Sequence, residues 1–108
     1  MDNYYYVYVI DLDKSILEKE KKFRDANLQY IEGKPCVYVG QSFLKPRERY
    51  KQHKDGTKSN KYVRKYGRWV KQKNIPDQNP HLSRTSAENR EPEVAKILKK
   101  RGWAVWWN

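Results

Sequence analysis

Cysteine is almost missing from this chain. Cys36 is the only one in 108 residues, which excludes an internal disulfide and a multi-cysteine zinc site. A reducing, intracellular (cytoplasmic) home is the expectation. Cys36 itself reads as a small buried apolar residue, with nothing around it that marks an activated thiol able to pair with His53. Long hydrophobic runs are also lacking, so no membrane-spanning helix is expected. The opening stretch MDNYYYVYVIDLDK has an early Asp and no basic leader ahead of its apolar part, and does not read as a signal peptide. Aliphatic side chains are sparse, which leaves nine Tyr and four Trp to supply much of the buried area. There are no internal repeats and no low-complexity tract. A chain of this length is expected to form one domain, 1–108, with a modest core.

What the chain has in excess is positive charge, and it is unevenly placed. The net charge is +11. Residues 45–74 carry twelve Lys and Arg against Glu48 and Asp55, whereas the flanking segments are close to neutral. Charge runs are usually solvated faces. Concentration in one segment with aromatics between the charges favours a polyanion footprint, with nucleic acid as the expected partner. Lys51, Lys54, Lys58, Lys61, Arg64 and Lys65 are the candidate phosphate contacts, able to track a backbone without reading bases.

Hydrophobic periodicity organises the rest. Residues 4–10, YYYVYVI, read as a strand with Tyr4, Tyr6, Tyr8 and Ile10 on one face. Residues 14–27 suggest a weakly amphipathic helix or an insertion, ended by Gly33-Lys34-Pro35. Residues 36–40, CVYVG, form a second strand, antiparallel to the first if the segment between folds back. Pro46 suits the first turn of a helix over about 46–54. A short helix is expected over 58–66, and 68–72 is a possible third strand. Residues 74–84 are Pro- and Asn-rich loop. Thr85-x-x-Glu88 resembles a capping box ahead of a helix that stops at Gly102, with Pro92 a potential disruption. WAVWW at 103–107 is a last strand, its tryptophans expected in the core. The expected fold is α+β: a small, mostly antiparallel central sheet of about three strands, flanked by helices.

This layout gathers reactive groups. Pairing of the two N-terminal strands would set Tyr8 near Tyr38. Arg49 and His53 are four apart and share a helix face. Glu91 is in phase with Val94, Ala95 and Leu98 and points the way the buried face points, while Glu93 is in phase with Ile97. An inward carboxylate in so basic a domain needs a cation partner, which a divalent metal or Arg49 could supply.

At these residues the chain resembles the GIY-YIG nuclease superfamily. The first family tripeptide appears as Tyr6-Val7-Tyr8 and the second as Tyr38-Val39-Gly40. The family's arginine and histidine match Arg49 and His53 in RERYKQH, and its acidic metal ligand matches Glu91 in AENREPEVAKILKKRGW. Each tripeptide alone is a weak signal; the ordered set is specific and spans nearly the whole chain. Tyr6 stands in place of the first glycine, Gln41 stands where some members have lysine, residues 11–35 look like an inserted element, and the family's final asparagine aligns with Asn108.

The resemblance implies a metal-dependent endonuclease that hydrolyses phosphodiester bonds, in DNA rather than RNA. Glu91 would hold one Mg²⁺ or Mn²⁺, Arg49 would neutralise charge growing on the phosphoryl group, and Tyr38 or Tyr8 would take a proton from the attacking water. His53 would orient that tyrosine or act as the base itself. Tyr38 is the firmer of the two tyrosines at this stage, and Glu93 is the substitute for Glu91 as ligand. A non-catalytic nucleic-acid-binding module on the same fold is the alternative. Family members often gain specificity from attached domains, so a protein partner could direct this one.

Overall fold

The structure, a computed structural model, describes residues 4–56, 59–76 and 79–107. A four-stranded sheet forms its centre, in the order β3-β1-β2-β4. The strands are β1 (Tyr6–Leu12), β2 (Cys36–Ser42), β3 (Gly67–Val70) and β4 (Ala104–Trp107). β1 runs antiparallel to β2 and β3, whereas β4 runs parallel to β2. The α+β class and the helices around the sheet are as expected. The sheet has four strands and mixed direction, not three mostly antiparallel ones. All four segments are legible as strands in the sequence; the choice of β2 as neighbour for β4 is made by the helix between them. Gly102, at φ +86°, turns the chain out of that helix and back along the sheet.

Period-2 alternation divides the core into two layers. Tyr8, Ile10, Leu12, Cys36 and Tyr38 face a layer with Ile16, Phe23, Tyr62 and Tyr66. Val7, Val9, Val37, Val39 and Val105 face the other, against Ala87, Val94, Ala95 and Leu98. Trp103 is buried in the second layer, and Trp106 meets the Tyr62 ring edge-on at 5.1 Å, so both serve the core. The first layer is covered by α3 (Pro46–Asp55) and α4 (Lys61–Tyr66), and the second by α5 (Arg84–Lys100).

Three helix boundaries differ from expectation for identifiable reasons. The inserted element forms two short helices, α1 (Ile16–Lys19) and α2 (Lys21–Asp25), broken where Glu20 adopts an extended backbone and accepts a hydrogen bond from the Tyr66 hydroxyl at 2.7 Å. α4 begins late because Asn60 caps it, its side-chain oxygen accepting from the Tyr62 and Val63 amides. α5 begins early: Ser83, not Thr85, is the cap, accepting from the Ser86 amide at 3.0 Å. α5 then runs straight through Pro92, whose missing N–H deprives only the Glu88 carbonyl near the helix start.

Both ends of the sheet's hydrogen-bond ladder are closed by a single asparagine. Asn27, buried at the free edge of β4, accepts from the Val105 amide at 2.8 Å and donates to the Val105 carbonyl at 3.1 Å. Asn79 does the same for Val7 on β1, at 2.9 and 2.7 Å. An amide side chain carries one acceptor and two donors and can mimic one residue of a partner strand. Asn27 thereby blunts the outer edge of β4 as a template for pairing with another chain, while Asn79 fills a position on β1 beyond the end of β3.

Candidate active site

The β1–β2 register pairs Tyr8 with Gly40 and Ile10 with Tyr38. Tyr8 and Tyr38 are thus diagonal neighbours on one face, with ring centroids 6.1 Å apart. Gly40 explains how the Tyr8 ring lies there. A Cβ on Gly40 would sit 2.4 Å from both Cζ and Oη of Tyr8, so only glycine leaves room for the phenol to cross β2.

His53 arrives from α3 and closes a three-ring cluster, 5.9 Å from Tyr8 and 5.7 Å from Tyr38 between centroids. Its Nδ1 accepts the backbone N–H of Asn60 at 3.0 Å. In the neutral ring the proton must then be on Nε2, which donates to the Tyr8 hydroxyl oxygen at 2.9 Å. Burial, then the Arg49 charge, pushes the His53 pKa down to about 4, so the ring stays neutral at ordinary pH. His53 is 1% exposed and its one acceptor nitrogen is occupied. It orients the tyrosine and does not reach solvent as a base.

Tyr8 is where these groups meet. Its oxygen accepts His53 Nε2–H at 2.9 Å, and Tyr38 and Arg49 act on the phenol so as to lower its pKa. Burial nevertheless pushes the Tyr8 pKa up to about 12, against the pull of Arg49 and Tyr38. Tyr38 is pushed up further, by burial first and then by Tyr8 and Glu91. Of the two tyrosines, Tyr8 is the one whose hydroxyl meets the His53 ring N–H. Arg49 is positioned by Gln52, whose Oε1 accepts its N–H at 3.0 Å one helical turn on.

Glu91 approaches from α5, the layer on the opposite side of the sheet, and its charge reaches both phenols, raising their pKa values. It is 8% exposed. Burial, then the Glu88 carboxylate, raises its own pKa to about 7. Glu93 lies outside the site, exposed and paired with Arg90 at 2.9 Å. No cluster of three or more His, Cys, Asp or Glu that could hold a metal ion exists among the described residues, and the carboxylate that acts on Glu91 is Glu88. A buried carboxylate whose pKa is raised in this way fits a single divalent cation, with water and substrate oxygens as its other ligands.

A cavity of about 440 Å³ opens beside the cluster, lined by Arg49, Gln52, Gln41, Phe43 and Arg84. Gln52, Asn60 and Arg84 were not singled out in the sequence. Asn60 just ahead of a helical pattern was a readable cap signal; Arg84 meets Arg49 only through the fold.

The basic residues divide. Lys51, Lys61 and Arg64 are exposed on α3 and α4. Lys54 instead donates to the Arg64 and Gly67 carbonyls at 3.2 and 3.0 Å, tying down the end of α4. Lys65 is exposed but 3.5 Å from Glu20. Lys58 and Asn108 lie outside the described residues. Cys36 sits opposite Leu12, at the far end of β2 from Gly40, and burial raises its thiol to about 11, which removes any pairing with His53.

No family model matches the chain, and no curated protein or solved structure matches it. What the site can do is read from its own chemistry. Among the described residues no helix is long and apolar enough to cross a membrane.

Proposed function

We propose that this protein is a GIY-YIG-type, metal-dependent endonuclease that hydrolyses phosphodiester bonds in DNA. One observation supports the reading: Tyr8, Tyr38 and His53 pack into one ring cluster, with His53 Nε2–H on the Tyr8 oxygen and the charges of Arg49 and Glu91 acting on both phenols. Tyr8, as phenolate, takes a proton from a water whose oxygen attacks phosphorus. Arg49, at the mouth of the site, neutralises the charge that grows on the phosphoryl oxygens. His53 and Tyr38 hold the Tyr8 oxygen in place and favour its anionic form. Glu91 is the side chain that would hold Mg²⁺ or Mn²⁺, which supplies polarisation of the phosphoryl group and stabilisation of the leaving oxygen. The exposed Lys51, Lys61 and Arg64 bind flanking phosphates. A lone free cysteine suits a reducing, intracellular setting.

Incubation of supercoiled plasmid with the protein in Mg²⁺ or Mn²⁺ tests this. Nicking is expected, lost in Glu91→Ala and retained in Glu93→Ala. Folded protein that nicks neither plasmid nor single-stranded DNA in excess metal would refute it.

A second reading is a non-catalytic nucleic-acid-binding module. It is favoured by the lack, among the described residues, of a group of three or more His, Cys, Asp or Glu, since fewer protein ligands make a sparse metal site. Calorimetric titration with Mn²⁺ separates the two: the nuclease gives heat that Glu91→Ala abolishes, and the module gives none.

A further inference from the structure

β3 accompanies β1 only along Ile10–Leu12, with one more hydrogen bond from the Lys71 amide to the Val9 carbonyl. Asn79 closes on Val7 further along β1. Between these two attachments, among the described residues, lies a cavity of about 570 Å³ along the edge of β1. This lies within the roughly 300–1,000 Å³ usual for small-molecule sites. It is large enough for one nucleotide and too small for a base pair with two backbones.

Three features of its lining point the same way. Tyr6, Val70 and Ile75 give it aromatic and aliphatic walls suited to the face of a base. Among the described lining residues, Lys45, Arg47 and Lys71 are cations and Glu48 is the carboxylate, an excess that suits an attached phosphate. Tyr8 lines it too, and its ring leads from there across to Gly40 on β2, where its hydroxyl meets His53, so the cavity and the candidate site share this side chain. Lys45 and Arg47 belong to the start of α3, the helix that also carries Arg49 and His53. A strand crossing the site could therefore keep its phosphates on α3 while one base leaves the stack and enters the gap.

We infer that this cavity receives one unpaired or extruded nucleotide of the substrate strand, so that the protein prefers nucleic acid carrying an unpaired nucleotide next to the scissile phosphate. The inference rests on the nuclease reading for its orientation at Tyr8, but the binding it describes needs no cleavage. Extruding a base costs least where it is already unpaired, which makes such a pocket a device for structure selection without base-sequence readout.

The test is binding by fluorescence anisotropy in EDTA, with end-labelled duplexes of one sequence, fully paired or carrying a single-nucleotide bulge. The wild type is expected to bind the bulged duplex about tenfold tighter. Two variants narrow the cavity: Ile75→Trp from the core side and Gln72→Trp from an exposed position that a larger side chain occupies without disturbing the fold. Each should bring the two affinities together while leaving paired-duplex binding unchanged. Equal affinities in the wild type, or a bulge preference that survives Gln72→Trp, overturns the inference. Parallel nicking assays keep the two readings apart. Cleavage without bulge preference sinks the pocket alone, and bulge preference without cleavage in any metal sinks the nuclease alone.

Discussion

The Tyr8 oxygen is the centre of the candidate site. It accepts from His53, so removing its hydroxyl leaves the buried His53 Nε2–H without a partner and, in the proposed mechanism, removes the proton acceptor. Under the nuclease reading, Tyr8→Phe should lower the nicking rate by about 10²–10⁴-fold, the usual worth of a general base, while Tyr38→Phe should cost less. Single-turnover nicking of both variants checks the order. Gly40 acts through the same ring. Gly40→Ala forces the Tyr8 phenol aside, so nicking should fall much as in Tyr8→Phe, with a stability loss of about 1–3 kcal/mol from overpacking, read by urea denaturation. Glu91 gives a test on stability rather than rate. Its pKa is raised from 4.5 to about 7 on folding, so the folded state is penalised as pH rises through that window. The penalty amounts to at most about 3 kcal/mol above pH 7. In metal-free buffer Glu91→Gln should therefore melt higher than the wild type at pH 8, and the gap should close toward pH 4.5. His53 has the opposite sign, its stabilising neutrality being lost as pH falls from 6.5 through about 4, but it is common to both proteins and cancels in the difference. Excess Mn²⁺ should narrow the gap at pH 8 by binding the wild type alone.

At the scale of elements, short pieces are held by side chains that act as backbone. The four-residue β4 has one outer ladder position filled by Asn27, whose amide also donates to the Phe23 carbonyl at 2.8 Å. Asn27→Ala removes these hydrogen bonds and leaves the Val105 amide and carbonyl in a buried place without partners. A loss of about 2–4 kcal/mol is expected, from one or two unsatisfied groups at roughly 1–3 kcal/mol each. Asn27→Asp should be as harmful, because a carboxylate accepts from Val105 but cannot donate. Urea denaturation of both variants measures this. The inserted element thus does fold work: it carries the cap for one sheet edge, and through Glu20 it holds Tyr66 at the end of α4.

For the whole molecule the decisive property is the placement of charge. The basic segment folds into α3, α4 and β3 on the side of the sheet that carries Tyr8, so the positive surface and the candidate site lie together. Binding to DNA should accordingly weaken with salt, log K falling by about 0.9 per phosphate engaged for each unit of log salt. Lys51→Gln and Arg64→Gln should each flatten that slope by about one, whereas Lys54→Gln should chiefly lower stability, since its ammonium holds two carbonyls within the fold. Anisotropy titrations across a salt series distinguish the cases.

The residue order alone determined the strands, the helix phase of Glu91 against Glu93, the shared face of Arg49 and His53, and the concentration of cations, because each depends on periodicity or composition within a short window. Tertiary structure decided what depends on distant segments meeting. It set the parallel placement of β4, the asparagines that close the sheet edges, the capture of Lys54 by α4, and the gap beside β1. It also distinguished the two tyrosines. Tyr8 and Tyr38 are alike as residues on paired strands, and only the arrival of His53, with its other nitrogen tied to Asn60, gives the Tyr8 oxygen a ring N–H to accept.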